Sequence, residues 1–236
     1  MDELDAVRGA VARLRDGMVW RAAGATSRLT GAAARAHRRL ASGAVALTFD
    51  DGPNPGSTDR VLDVLADLDV TATFFCVGKN ALRHPQLLRR MRDEGHAVGS
   101  HSLTHPHPAT ISIALLTHEY ASGRAAVSDA LGHDTPLLRP PHGHIGWKGI
   151  AVLRRLRVQP WLWSVDPEDW RPGVTRQHVV SIAGEAQAGD VVLLHDWVEQ
   201  PWAPEALDRS QTVDALPEIV TRIRARGLRF GPVDPA

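Results

Sequence analysis

One cysteine, one tyrosine and three methionines stand in a chain of 236 residues. With a single thiol, Cys76, no internal disulfide can form. Cys76 lies in the apolar run Thr73-Phe74-Phe75-Cys76-Val77, which reads as a buried, inert thiol and not a nucleophile. A charge surplus of either sign is also missing: Lys+Arg and Asp+Glu both number 27, so the net charge is zero. No basic excess draws the chain to nucleic acid, and no acidic tail is visible. Long apolar runs are absent too, since no stretch approaches the ~20 residues of a membrane helix. Asp2, Glu3, Asp5, Arg8, Arg13, Arg15 and Asp16 interrupt the N-terminus too often for the apolar core of an export signal. The expectation is a cytoplasmic protein without membrane insertion and without a nucleic-acid partner.

What is present is an ordinary globular composition, 43% hydrophobic and 23% charged, long enough for one large α/β domain or two small ones. No repeat or low-complexity linker divides it. Val7, Val11, Leu14 and Met18 recur at helical spacing, which predicts an amphipathic helix within an N-terminal extension, residues 1–42. From residue 43 to 236, short β-type runs alternate with helical stretches. The predicted strands are 44–49, 72–75, 97–99, 137–138, 160–163, 191–194 and 228–230. The helices fall near 58–68, 80–94, 111–131, 147–157, 176–187 and 213–226. Strict alternation favours parallel strands with crossover helices. About seven such strands predict an incomplete or distorted (β/α) barrel, with a doubly wound sheet as the alternative.

The unusual residues fall in one kind of place. Asp50-Asp51, His101, Arg139, Asp166 and His195 each follow the end of a predicted strand, and in a barrel those ends converge on one face. Adjacent aspartates usually mean only a solvated turn. In Thr48-Phe49-Asp50-Asp51-Gly52-Pro53, however, the Gly-Pro turn stops an apolar strand abruptly and leaves both carboxylates at its mouth. Two such groups can divide labour, one binding a metal and the other moving a proton. His101 and His105 are four apart, and on a helical turn they would share a face and grip one ion. With 12 histidines in the chain, one such spacing is unremarkable by itself. Two His and one Asp would leave an open position for water, as catalytic sites do. His107 reads as loop or substrate-facing, not as a ligand.

Arg139-Pro140-Pro141-His142-Gly143 puts an arginine before a rigid turn, where it could hold a carboxylate in a fixed pose. The backbone N–H groups that follow could serve an oxyanion. Read alone, it is a proline-rich loop. The segment Trp163-Ser164-Val165-Asp166-Pro167-Glu168-Asp169-Trp170 combines acids with aromatic faces that suit sugar rings, although at least one of Trp161 and Trp163 should be core. His195 ends the sixth strand. A carboxylate beside it would raise its pKa and keep it protonated as a general acid.

In order along the chain, TFDDGP, HSLTH, RPPHG, the DPEDW segment and LLHD resemble the motifs of the polysaccharide deacetylase family (carbohydrate esterase family 4), which includes chitin, chitooligosaccharide and peptidoglycan deacetylases. The resemblance covers about residues 44–230. It implies Asp50 as catalytic base, Asp51, His101 and His105 as the ligands of one divalent ion, most simply Zn2+, and Arg139 as the tether of the base. It further implies the backbone N–H at His142 as oxyanion donor, His195 as general acid and Leu193 as a wall for the acetate methyl. Asp169, next to Trp170, is preferred over Asp166 as the acid that tunes His195, with Trp170 facing the substrate. One departure is His142 itself, where the family commonly has Tyr; the backbone N–H survives that exchange but the side chain facing the substrate changes. The implied activity is metal-dependent removal of acetyl from an N-acetylated sugar or oligosaccharide. A phosphoesterase or nuclease, or a non-catalytic sugar-binding module, is the alternative. Arg139 is expected to lower the pKa of Asp50, and Asp169 to raise that of His195.

Overall fold

The computed structural model describes residues 30–233. Six strands are bonded in the order β5-β4-β3-β2-β1-β6, every pair parallel. They are β1 (Ala46–Asp50), β2 (Thr73–Cys76), β3 (Ala97–Ser100), β4 (Leu137–Leu138), β5 (Gln159–Pro160) and β6 (Val191–His195). Strands one to five are sequential neighbours, and β6 lies against the free edge of β1. A doubly wound sheet reverses direction at a switch point; this one winds one way round and curls into a distorted (β/α) barrel. Its open side is bridged by irregular chain. Trp161 N–H donates to Leu138 O of β4, Pro160 O and Leu162 N–H bond to His37, and Val165 pairs with Val192 of β6.

The sheet has six strands and not seven. The predicted strand at 228–230 makes one bridge, Val45 to Phe230. From Thr48 upward both edges of β1 are taken by β2 and β6, so the C-terminal segment finds a partner only below the strand. The predicted strand at 160–163 is likewise cut short where the chain leaves β4 for β6. Residues 30–42, the described part of the expected extension, lie against the barrel, with His37 bridged to Trp161 and Arg39 to Asp190. The helix expected around Val7 to Met18 lies outside the described residues.

Beyond residue 42, the α-helices among the described residues are α1 (Thr58–Asp67), α2 (Gly78–Arg83), α3 (Pro85–Asp93), α4 (Ile113–Leu131), α5 (Gly146–Leu156), α6 (Arg176–Ala183), α7 (Ser210–Val213) and α8 (Leu216–Ala225). Two predicted helices divide. Pro85 starts α3 after a break at His84, and Pro217 sits in the first turn of α8, because proline lacks the N–H that a helix interior needs. The longest helix, α4, is capped by Ser112, whose side chain accepts from Leu115 N–H, and stops at Gly132 with φ 76°. No helix among the described residues is long and apolar enough to cross a membrane.

Alternation along the strands builds two cores. Ala46, Phe75, Leu137, Trp161 and Val191 fill the barrel interior. Leu47, Phe49, Phe74, Cys76, Val192 and Leu194 face the helices. The inward parity of β1 and β6 carries on to Thr48, Asp50, Leu193 and His195. The strand pattern that packs the core thus also delivers polar groups to the barrel mouth.

Candidate active site and metal centre

Asp50 ends β1 in register with His195 at the end of β6. His101 follows β3, its N–H bonded to Cys76 O, and Arg139 follows β4, its N–H bonded to Ser100 O. His101 and Arg139 thus sit one step past the end of the neighbouring strand, while Asp50 and His195 close their own strands at the same barrel end.

Asp51 turns into the left-handed region at φ 77°, which separates its carboxylate from that of Asp50. Its Oδ1 lies 3.5 Å from His101 Nε2 and 3.3 Å from His105 Nε2. One ligand atom from each of the three falls within 4.8 Å of the others, and no other such group occurs among the described residues. Asp51 Oδ1 is buried yet accepts no hydrogen bond, while Oδ2 accepts from Glu199 N–H at 2.9 Å. His101 Nδ1 is 2.7 Å from Arg139 O, which fixes that nitrogen as the protonated one and turns the Nε2 lone pair toward Asp51. A carboxylate oxygen and two imidazole nitrogens, buried and converging, are the donor set a divalent cation requires.

The histidine pair does not ride on a helix. HSLTH is a loop in which Ser102 and His105 both adopt positive φ, 66° and 61°. Ser102 Oγ accepts from His105 N–H at 3.0 Å. Glu119 of α4 accepts from the N–H groups of Leu103 and Thr104 at 3.1 and 2.8 Å, and from Thr104 Oγ1. Gly123, one turn on, lets the loop approach; a Cβ there would stand 2.3 Å from the Ser102 carbonyl carbon.

Asp50 lies beside this cluster, its Oδ2 3.6 Å from His101 Nε2. Its Oδ1 accepts from Arg139 Nη1 at 2.7 Å. Arg139 is wholly buried, also donating to Thr48 Oγ1 and Trp161 O, with its guanidinium 4.2 Å over the Phe75 ring. It is turned into the barrel. The expectation that Arg139 holds the pKa of Asp50 below normal is not met: burial raises it by more than Arg139 lowers it. Burial likewise pushes Asp51 up to about 7 and holds His101 and His105 well below the usual histidine range.

On the neighbouring strand β6, His195 Nδ1 is 2.8 Å from Asp169 Oδ1, and its backbone N–H donates to Asp169 Oδ2 at 2.9 Å. Burial alone would lower the imidazole's pKa, but the charge and hydrogen bond of Asp169, then Asp51 and Asp50, raise it to about 9. Its side chain keeps 12% of its surface open, so Nε2 can meet a ligand. Asp169 is the partner and Asp166 is not; Asp166 accepts from Glu168 N–H instead. Asp196, the neighbour of His195 in sequence, faces the other way and accepts from Gly52 N–H and Thr58 Oγ1.

Leu193 is buried on the inner parity of β6, one pair below His195. His142, at φ 57°, has its ring tilted against that of His105 with centroids 4.7 Å apart, and stacks with His107 at 4.9 Å. Trp170 meets the exposed Trp202 edge-on at 5.2 Å. Trp161 is the core tryptophan, while Trp163 lies half-buried near Arg139.

Sequence reasoning missed Glu119, Asn80, Glu199 and Arg209. Asn80 donates to Asp51 O and to Glu199 Oε2, and Glu199 also pairs with Lys79. None belongs to a motif, and nothing in their local pattern marks them. Only Asp196 lay within a motif, and there its neighbour His195 drew the functional reading.

A candidate cation site beside a buried carboxylate and a histidine–aspartate pair, at the open end of a β/α barrel, is the equipment of a hydrolase. Comparison with known proteins agrees. A family profile described as polysaccharide deacetylase matches residues 37–161. A chitooligosaccharide deacetylase of Bradyrhizobium sp. is 39% identical over 194 residues, 80% of this chain and 88% of the relative. A peptidoglycan-N-acetylglucosamine deacetylase of Bacillus cereus is 36% identical, covering 79% of this chain and 84% of that one. A family 4 carbohydrate esterase from Streptomyces lividans, solved in complex with acetate, superposes with a TM-score of 0.73 at 32% identity, over 83% of this chain and 95% of that one. The chain belongs to the polysaccharide deacetylase family.

Proposed function

We propose that this protein is a metal-dependent N-deacetylase that hydrolyses the acetamide of an N-acetylated sugar, chitooligosaccharide-like or peptidoglycan-like, to acetate and a free amine. The observation that carries this reading is that Asp50 and His195, each with its own buried partner, end neighbouring strands beside one potential cation site. Asp51, His101 and His105 would hold the ion, and their mixed nitrogen and oxygen donors suit Zn2+. When bound, a divalent ion supplies Lewis-acid polarisation and lowers the pKa of water.

The chain's own residues do the rest. Asp50, fixed by Arg139, takes a proton from the attacking water. The N–H of His142 donates to the oxygen that gains charge at the acetamide carbon. His195, kept protonated by Asp169, gives its proton to the departing amine. Leu193 walls the acetyl methyl, and Trp170 offers an aromatic face to the sugar. The names of the two relatives above support an N-acetylated glycan as substrate. A phosphoesterase would need exposed cations at the mouth, and the buried pose of Arg139 argues against it. A non-catalytic sugar-binding module would have no use for a base and an acid kept in working pose.

Acetate release from a panel of N-acetylated sugars, with chelated protein and again after zinc is restored, tests the proposal. Zinc-dependent acetate from at least one member is expected. No acetate from any member, with zinc bound, would overturn it.

A further inference from the structure

Behind the Asp169–His195 pair lies a charged side chain that no motif singled out. Arg209 precedes α7 on the loop after β6 and is 1% exposed. Burying a guanidinium is unfavourable unless a partner compensates the charge. Here Nη1 donates to the Asp169 carbonyl at 3.1 Å and stands 3.8 Å from Asp169 Oδ2. Nε donates to Asp208 O at 3.1 Å, and Nη2 has no hydrogen-bond partner among the described residues. No other carboxylate among the described residues comes within ion-pair distance of it. Thr212 completes the cage, its hydroxyl donating to Asp169 Oδ2 at 2.7 Å.

Asp169 therefore has a cationic partner on each side, His195 at Oδ1 and Arg209 near Oδ2. The two differ in one respect. His195 loses its charge when its proton leaves for the amine, whereas a guanidinium keeps its charge at any working pH. At that moment Arg209 is the one cation left in contact with a carboxylate that has no exposed surface. Without it, a buried anion with no compensating charge would hold the proton back on the imidazole or take it up itself.

We propose that Arg209 is a positioning residue of the proton-donating pair: its buried guanidinium keeps the Asp169 carboxylate anionic and aimed at His195 Nδ1 while the imidazole gives up and regains its proton. The kinetic consequence rests on the deacetylase reading above; the structural one does not.

The test uses the full chain loaded with zinc and the variants Arg209→Met, Arg209→Gln, Arg209→Lys and His195→Gln. Low-field proton NMR reads the His195 Nδ1–H resonance, assigned by its disappearance in His195→Gln. Acetate release from an N-acetylchitooligosaccharide gives kcat and KM, and elemental analysis gives zinc content. Arg209→Met is expected to shift or abolish the resonance and to lower kcat on the order of 10-fold or more, with KM and zinc content unchanged. Arg209→Lys, which keeps the charge, should restore both signals. Arg209→Gln keeps a donor without the charge and takes the place of Arg209→Met if that variant does not fold. A wild-type resonance with kcat within about twofold in the uncharged variants, or a lysine variant as impaired as they are, would overturn the proposal. If the wild type releases no acetate, the deacetylase reading fails, and the resonance alone still decides the role of Arg209.

Discussion

Asp50 and His195 stand directly opposite each other on adjacent parallel strands, the last pair in the β1–β6 register. Each is held by its own buried partner, Arg139 at 2.7 Å and Asp169 at 2.8 Å. The two partners reach in from different loops. The two side chains are therefore positioned by separate partners, although their charges act on each other.

Asp50 touches the candidate cation site only at its edge, 3.6 Å from His101. Asp50→Asn should lower kcat by about 10²–10⁴-fold while zinc content on elemental analysis stays at the wild-type level. Loss of the ion in this variant would exchange the roles of Asp50 and Asp51.

For the cluster itself, His101→Ala and His105→Ala each remove one of three converging ligand atoms. Both should bind less zinc than the wild type after dialysis. Unchanged stoichiometry in both variants would remove the triad from consideration.

The proposed proton donor can be followed by pH. His195 is raised to about 9 by Asp169 with help from Asp51 and Asp50. A bound cation would offset the last two, so the alkaline limb of kcat/KM in the zinc-loaded protein should lie below that value. Asp169→Asn should move the limb to lower pH, because the imidazolium loses its anion. The same shift bears on stability in the metal-free protein. The imidazole is protonated to about 9 when folded but only to about 6.5 when unfolded. Its contribution is complete below the unfolded value and lost as pH rises through the folded one. Denaturant titrations from pH 6 to pH 10 should show that decline in the wild type and a smaller one in Asp169→Asn.

Glu119 offers a test away from the mouth. Its carboxylate accepts three hydrogen bonds from the loop between His101 and His105. Glu119→Ala should destabilise the fold by roughly 2–3 kcal/mol and weaken zinc binding, read by thermal melting and by competition with a chelator. Unchanged zinc affinity would mean the loop holds its shape without the cap.

The turn after β1 is equally constrained. A Cβ on Gly52 would lie 1.9 Å from Asp196 Oδ2, so Gly52→Ala must displace either that carboxylate or the turn that carries Asp51. A fall in melting temperature together with weaker zinc binding is expected. Wild-type values for both would show that the turn absorbs the methyl.

Alternation of apolar runs and helical periods was enough to predict parallel strands with crossover helices, because period two and period 3.6 are local properties of the chain, but it left a doubly wound sheet open beside the barrel. The motif residues at strand ends were legible for the same reason: Asp50, Asp51, His101, Arg139 and His195 each interrupt an apolar pattern where it stops. Tertiary structure decided what depends on residues far apart in sequence. It left β1 no free edge for a seventh strand. It bound His101 and His105 through two left-handed loop residues and a distant Glu119, not through a helical face. It matched His195 with Asp169 over the adjacent Asp196, since neighbours along a strand point to opposite sides. It also set the net direction of the Asp50 shift, because desolvation depends on everything packed around a carboxylate, while a sequence reveals only one of its partners.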